Sequence, residues 1–404
     1  MKHQSTRCGL IALVYALPSS RRPRFRERTG RGLRMPGLLA VAAVAIAGLI
    51  GSAQALAQNA YITNTPANTV SVIDTSTNAV IATIPVGNTP YAVAVSPGGS
   101  RAYVGNQNDN TVSVIDTSTN TVIATIPVGN TPFAAAVSPD GGKVYVGNLY
   151  DWTVSVIDTA TNTVSGTIFG VPYPSDLRVS PDGSKLYATR IGNFDAVQVI
   201  DTATGTTIAT IYAGHGTYNL AVNPDGSKVY VADLYGGVAV VDTATNTWTA
   251  TIGGLSDPWG LAVTPDGSKL YVANAGGNSV SVADTATNTV TTTIPVGSGP
   301  QGVAVTPDGS EVYVTNYNDN TVSVIATATN TVTATIGVGN GPTAHGVFIQ
   351  SLPNFAGTPG FSNCQGQSVA ALAKRFGGID AAAAALGYTS VKALQNAIKA
   401  FCRA

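Results

Sequence analysis

The chain has 404 residues, 44% of them hydrophobic and only 10% charged, with 21 basic and 21 acidic side chains. That balance is uneven along the chain. Residues 58–350 hold seven Lys/Arg against nineteen Asp/Glu, a net of −12, which repels phosphates and disfavours nucleic acid as a partner.

The first 57 residues carry nine basic side chains and one Glu. A basic stretch from Arg21 to Arg34 precedes the apolar run Leu38–Ile50, and Ala55-Leu56-Ala57 then places small residues at −3 and −1 of a cleavage point. The run is 13 residues long, short of the roughly 20 that span a bilayer. The expectation is a signal peptide over 1–57, a mature start at Gln58, and a periplasmic or secreted protein with no membrane span after cleavage. Cys8 leaves with that segment. The two remaining cysteines, Cys364 and Cys402, are expected to form a disulfide in an oxidising compartment.

From Tyr61 onward the chain repeats itself. Tyrosines opening a strand-like motif fall at Tyr61, Tyr103, Tyr145, Tyr187, Tyr230, Tyr271 and Tyr313, with spacings of 42, 42, 42, 43, 41 and 42 residues. A period in the forties filled with short strands marks a β-propeller with one four-stranded blade per repeat. In one unit, "PYAVAVSP" from Pro90, "RAYVGN" (Arg101–Asn106), "TVSVID" (Thr111–Asp116) and "TVIATIPV" (Thr121–Val128) alternate β-branched and small residues between Gly/Asn/Asp/Pro turns. The first copy lacks its first strand. After the seventh fourth strand comes an orphan, "HGVFIQ" (His345–Gln350), matching "QGVAVT" (Gln301–Thr306). That orphan should pair beside Tyr61–Asn64 and close seven blades over residues 58–350, leaving no raw sheet edge.

The motifs "YVTN", "NTVSVI", "TATNTVTATI" and "PDGSEVYVTN" resemble the YVTN β-propeller repeat family, which includes archaeal surface-layer proteins and bacterial exported YncE-type propellers. The resemblance covers residues 59–350 and implies the seven-bladed fold. It also implies two functional possibilities, because some related propellers are lactonases and one periplasmic relative binds single-stranded DNA.

Composition changes after Leu352. Residues 351–363 read as a Gly/Pro-containing linker, and 364–404 as a small tail of three short helices starting at Ser368, Asp380 and Ser390. The tail carries five basic residues and one acidic. About forty residues is marginal for independent folding, so a Cys364–Cys402 staple would matter. The fold class expected is therefore all-β, a seven-bladed β-propeller closed by a C-terminal strand, followed by a disulfide-stapled α-helical tail.

Comparing the repeats with one another separates frame from candidates. The "PDGSK" and "DTATNT" turns barely vary and lie at one end of the ring, whereas the loops at the other end vary, and binding residues favour variable loops on a rigid frame. Two rings of positions stand out at the variable end. The first residue of strand one reads Tyr91, Phe133, Ser175, Tyr218, Trp259, Gln301 and His345, which suits a planar or sugar-like ligand at a channel mouth or a plug of the channel. The residue ending strand two is Asn in five blades but Arg190 and Asp233 in two neighbouring ones. With Asp176 and Arg178 these form either an anion-binding cluster or a closed salt-bridge network. The five asparagines are expected to bond their own loop backbone. Asp109, Asp151, Asp195 and Asp319 in the variable loops form no compact Ca²⁺ motif.

No nucleophile elbow, HExxH or phosphate-binding loop occurs, and no cofactor or metal is expected. His215 and His345 are the two histidines of residues 58–404. The reading is a monomeric, non-catalytic scaffold that binds a small molecule or protein at its variable-loop face. The alternative is a lactonase-like, metal-assisted hydrolase or lyase at the channel mouth, for which Asp233 with His345 is the best residue pair.

Overall fold

The computed structural model describes residues 58–192, 196–214, 216–351, 379–380 and 390–401. The signal segment, the linker beyond Ser351, Cys364, Cys402, the first tail helix, the second beyond Asp380, Asp195 and His215 lie outside the described residues. The third tail helix, α1 (Val391–Phe401), forms, with Leu394 and Ile398 buried. Among the described residues no helix is long and apolar enough to cross a membrane.

The strands build seven antiparallel sheets in chain order, six of four strands and one of three. In blade two, for example, Pro90–Val95, Arg101–Asn106, Thr111–Asp116 and Thr121–Pro127 pair consecutively. The two middle strands are buried on both faces and read as near-continuous Val/Ile/Tyr runs. The outermost is exposed at alternate positions and ends in proline, whose missing N–H suits a solvent edge. Each innermost strand breaks register just after its first residue, between Pro90 and Val93 in blade two, so the residue there bulges toward the channel.

The core lies between blades rather than within them. Among the described residues, apolar clusters straddle the blade junctions. One joins Tyr313, Val322 and Val324 of blade seven to Tyr61, Val70 and Val72 of blade one. The tyrosine that sets the repeat period is fully buried in every blade, and burial pushes the phenols of Tyr61, Tyr187, Tyr230 and Tyr271 up to about 12. In three blades its hydroxyl reaches a turn asparagine of the next blade. Tyr61 donates to Asn120 Oδ1 at 3.0 Å, Tyr271 to Asn330 Oδ1 at 3.1 Å and Tyr313 to Asn78 Oδ1 at 2.5 Å.

The lysine of "PDGSK" is a second inter-blade staple. Lys185, Lys228 and Lys269 donate from Nζ to the carbonyls of Thr243, Thr285 and Thr327, one blade on, at 3.0, 2.7 and 3.2 Å. The constant turns are thus constant because they hold the ring together. Their aspartates accept local hydroxyl and amide donors, which lower Asp182 and Asp266 to about 2. Blade seven breaks the pattern with Glu311, which accepts from the Tyr313 hydroxyl at 3.1 Å. Glu311→Lys should restore a staple to the Thr75 carbonyl and raise stability by roughly 0.5–1 kcal/mol in urea unfolding. A lowered midpoint would show that the lysine contacts contribute nothing.

Ring closure occurs, but not by the regular fourth strand expected. Blade one has a three-stranded ladder, and residues 342–350 run antiparallel to its inner edge through isolated bridges, Asn64 to Pro342 and Ala60 to Ile349. Tyr61 N donates to Phe348 O at 2.9 Å, Thr343 N to Thr63 O at 2.9 Å and Gln350 N to Asn59 O at 2.8 Å. The reason for the irregularity is length. Pro342 takes the place of Pro300 and Ile349 that of Val305, so the closing segment holds two more residues than its siblings, Thr343 and Ala344. Ala344 is forced to φ 48°, and Gly302 of blade seven leaves the space, since a Cβ there would meet the Thr343 carbonyl at 2.4 Å. The segment also pairs in parallel with blade two, Val93 N donating to His345 O and Val95 N to Val347 O, both at 2.8 Å.

Candidate functional site

The inserted pair delivers His345 into the channel. The imidazole is 4% exposed. It stacks on Tyr91 with centroids 4.4 Å apart and planes 10° from parallel. Its Nε2 accepts from Trp259 Nε1 of blade six at 3.2 Å, and its Nδ1 meets the Asn219 amide of blade five, 3.2 Å from Nδ2. A histidine carried by the blade-one closing segment is therefore clamped by two blades beyond the ring's own neighbours.

The other channel aromatics complete a cycle of contacts. Tyr91 lies 4.3 Å from Phe133, Phe133 6.2 Å from Tyr218, Tyr218 4.2 Å from Trp259, and Trp259 6.2 Å from His345. Of the seven ring positions read from the sequence, five thus pack on one another as a plug. Ser175 instead donates to the Tyr218 carbonyl at 3.0 Å, and Gln301 is half-buried. Burial raises the Tyr91 phenol well above its usual range and the Tyr218 phenol as well. It also lowers His345 to about 3, helped by the Arg178 charge, so the ring is neutral at physiological pH.

Among the described residues, Asp176 and Asp233 have separate partners. Asp176, buried, receives Arg178 Nη1 at 2.6 Å, Leu220 N at 3.0 Å and Leu177 N at 2.9 Å. Burial raises its carboxyl despite those donors. Asp233 accepts from Tyr235 N at 3.0 Å in its own loop, and the Arg190 carbonyl accepts from Thr217 Oγ1 at 2.7 Å. The Asn ring has a structural duty with different partners from those expected. Asn64, Asn106, Asn148, Asn274 and Asn316 donate to hydroxyls five and seven residues on, as Asn106 does to Thr111 and Ser113 at 3.0 and 2.9 Å. The loop aspartates Asp109, Asp151 and Asp319 accept backbone N–H groups of the adjoining loop at 2.6–2.7 Å. Among the described residues no three His, Cys, Asp or Glu side chains converge as a metal site.

The exposed face was missed by reading only the channel rings. Tyr150, Trp152, Phe169, Tyr212 and Tyr235 are all solvent-exposed at the variable end, Tyr235 by 84%. Clefts occur at both ends. One of about 540 Å³ lies among constant turns near Asp225 and Asp266, and one of about 500 Å³ lies at the variable end beside Asp151 and Phe169.

Residues 93–194 match the family of YNCE-like beta-propellers. Over that stretch the repeats resemble those of YNCE-like propellers. Residues 237–340 match a second family, Lactonase, 7-bladed beta-propeller. No curated protein matches the sequence. Among solved structures, the chain is similar to the Kuenenia stuttgartiensis hydrazine synthase, at 26% identity and TM-score 0.62 over 66% of this chain and 92% of that one. A functionally unknown protein from Desulfotomaculum acetoxidans DSM 771 is also similar, at 16% identity and TM-score 0.62 over 71% and 99%. In all, 1791 chains match, so the shared fold says little about chemistry.

Proposed function

We propose that the chain is an exported, monomeric, non-catalytic propeller that holds a small molecule or a protein partner on its variable-loop face. The observation that carries this reading is the contrast between the two sets of aromatics. Those in the channel are consumed by one another and by His345. Those in the loops stand in solvent on a frame stapled blade to blade. Exposed aromatic side chains offer large rigid contact area at low conformational cost. The −12 charge of residues 58–350 directs the reading away from nucleic acid.

The lactonase-like alternative draws on the family match over blades five to seven. Against it stands the geometry of its best residue pair. His345 is buried and clamped, and Asp233 is committed to its loop. A thermal-shift screen of neutral polysaccharides, peptides and lactones tests both. A shift seen with the native chain should vanish when Tyr150, Trp152, Phe169, Tyr212 and Tyr235 all become Ser. Failure of every ligand to shift the native chain, or lactone turnover lost on chelation, would overturn the scaffold reading.

A further inference from the structure

Blade three departs from its siblings at one corner of the variable end. In blades one, two, six and seven the residue before strand three is Asn68, Asn110, Asn278 or Asn320, each at a left-handed φ of 48–57°. Each accepts the backbone N–H of the residue preceding the next innermost strand's opening proline, as Asn110 Oδ1 does from Thr131 at 2.9 Å. Asparagine is the residue that tolerates this conformation, and its carbonyl earns the position. Blade three places Trp152 there at φ 59° and Tyr173 opposite at φ 45°, two bulky residues in backbone that disfavours them. Indole has no acceptor, so the bond made in four blades is given up, and the two rings meet instead at 5.3 Å. Strain at such a position points toward function.

Two more departures sit on the same corner. Phe169 replaces the proline of Pro85, Pro127 and Pro295, and is 76% exposed; Tyr150 replaces Asn108 or Asn318, and is 63% exposed. Thr153, next to Trp152, lies directly across the ladder from Phe169. Beside them runs the 500 Å³ cleft, with Asn148, Asp151, Thr153, Ser155 and Phe169 on its walls. Asp151 binds Asn130 N through Oδ2, and its Oδ1 has no partner among the described residues.

We propose that this corner is a glycan-binding site for a neutral polysaccharide. The inference rests on the scaffold reading above and names its site and ligand. A pyranose has an apolar C–H face and a polar hydroxyl edge. Exposed rings at Tyr150, Trp152 and Phe169, with half-buried Tyr173 beside them, fit the first, and the exposed Asp151 carboxylate fits the second. No basic side chain lines the cleft, and Asp151 repels anions, so acidic glycans and phosphates are selected against.

The test replaces Trp152, Phe169 and Tyr173 by their sibling-blade residues, W152N/F169P/Y173T, which returns the corner to the loop of blades one and two. Native affinity electrophoresis of the full chain through gels holding laminarin, pullulan, dextran or hydroxyethyl cellulose should retard the native protein. The variant should melt no lower than the native protein and bind about tenfold more weakly, the size of one or two lost aromatic contacts. If the variant is retarded equally while the five-fold serine variant is not, the corner is overturned and the scaffold reading stands. If no polysaccharide retards the native chain but proline-rich peptides bind, the glycan is overturned alone. If nothing binds, both fall.

Discussion

Gly346→Ala should destabilise the propeller by roughly 3 kcal/mol or more and lower its Tm by about 6 °C or more. Gly346 sits at φ 123° in the closing segment, where a Cβ would lie 2.1 Å from the Val93 carbonyl oxygen. That carbonyl cannot retreat cheaply. The Val93 N–H donates to His345 O at 2.8 Å and the Val95 N–H to Val347 O at 2.8 Å, so backbone on both sides is fixed by the parallel pairing. The substitution therefore attacks the seam through which the chain's two ends meet. Losing the seam would bare the inner edge of blade one along Asn59–Asn64, whose N–H and C=O groups would then lack partners. Gly170→Ala is the matched control. It also has positive φ, 75°, but nothing lies within 4 Å of its Cβ position, so only the conformational cost of about 1 kcal/mol remains. Thermal melts followed by circular dichroism separate the two. Equal melting temperatures for both variants would mean the seam contributes no more than an ordinary loop.

How much of this was legible follows from what each residue does. The tyrosine period was readable because Tyr61 and its six equivalents are buried in every blade, and Tyr61, Tyr271 and Tyr313 also staple to the next one. Closure was readable because Val347–Ile349 keep the strand-one pattern. The two-residue insertion was not, since matching "HGVFIQ" to "QGVAVT" ignores that Pro342 is pinned to Asn64. Asp176 and Arg178, two apart on one strand, share a face and do pair, as period-two alternation allows. Asp233 looked like their partner only because its loop was unknown; one residue shorter than its siblings, that loop turns the carboxylate back onto Tyr235 N. The Asn ring's hydroxyl partners were visible all along, as the recurrent Thr at +5 and Ser at +7. The blade-three corner shows up when repeats are compared column by column rather than ring by ring.

His345→Ala should cost about 2–4 kcal/mol, because it opens a cavity under Tyr91 and strips Trp259 Nε1 and the Asn219 amide of their partner. Stability loss alone would not distinguish a structural clamp from a catalytic base that happens to be buried. The pH dependence does. Burial lowers the folded-state pKa from 6.5 to about 3, so the unfolded chain binds the proton first. The His345 contribution is complete above the unfolded pKa and is lost as pH falls toward the folded one. Between pH 6.5, the unperturbed value, and about pH 4.5 the native chain should lose about 2 kcal/mol relative to His345→Asn. That window lies above the range of the turn aspartates, two of which are held near 2. Their acid sensitivity begins lower, as pH falls through the carboxylate range, and is common to both proteins. Urea unfolding across the window, native minus variant, isolates the imidazole from His215 and from every carboxylate. A flat difference would place a charged or solvated histidine in the channel, free to exchange protons with a ligand. The loss described here instead marks a neutral ring locked between blades, a residue that seals the pore.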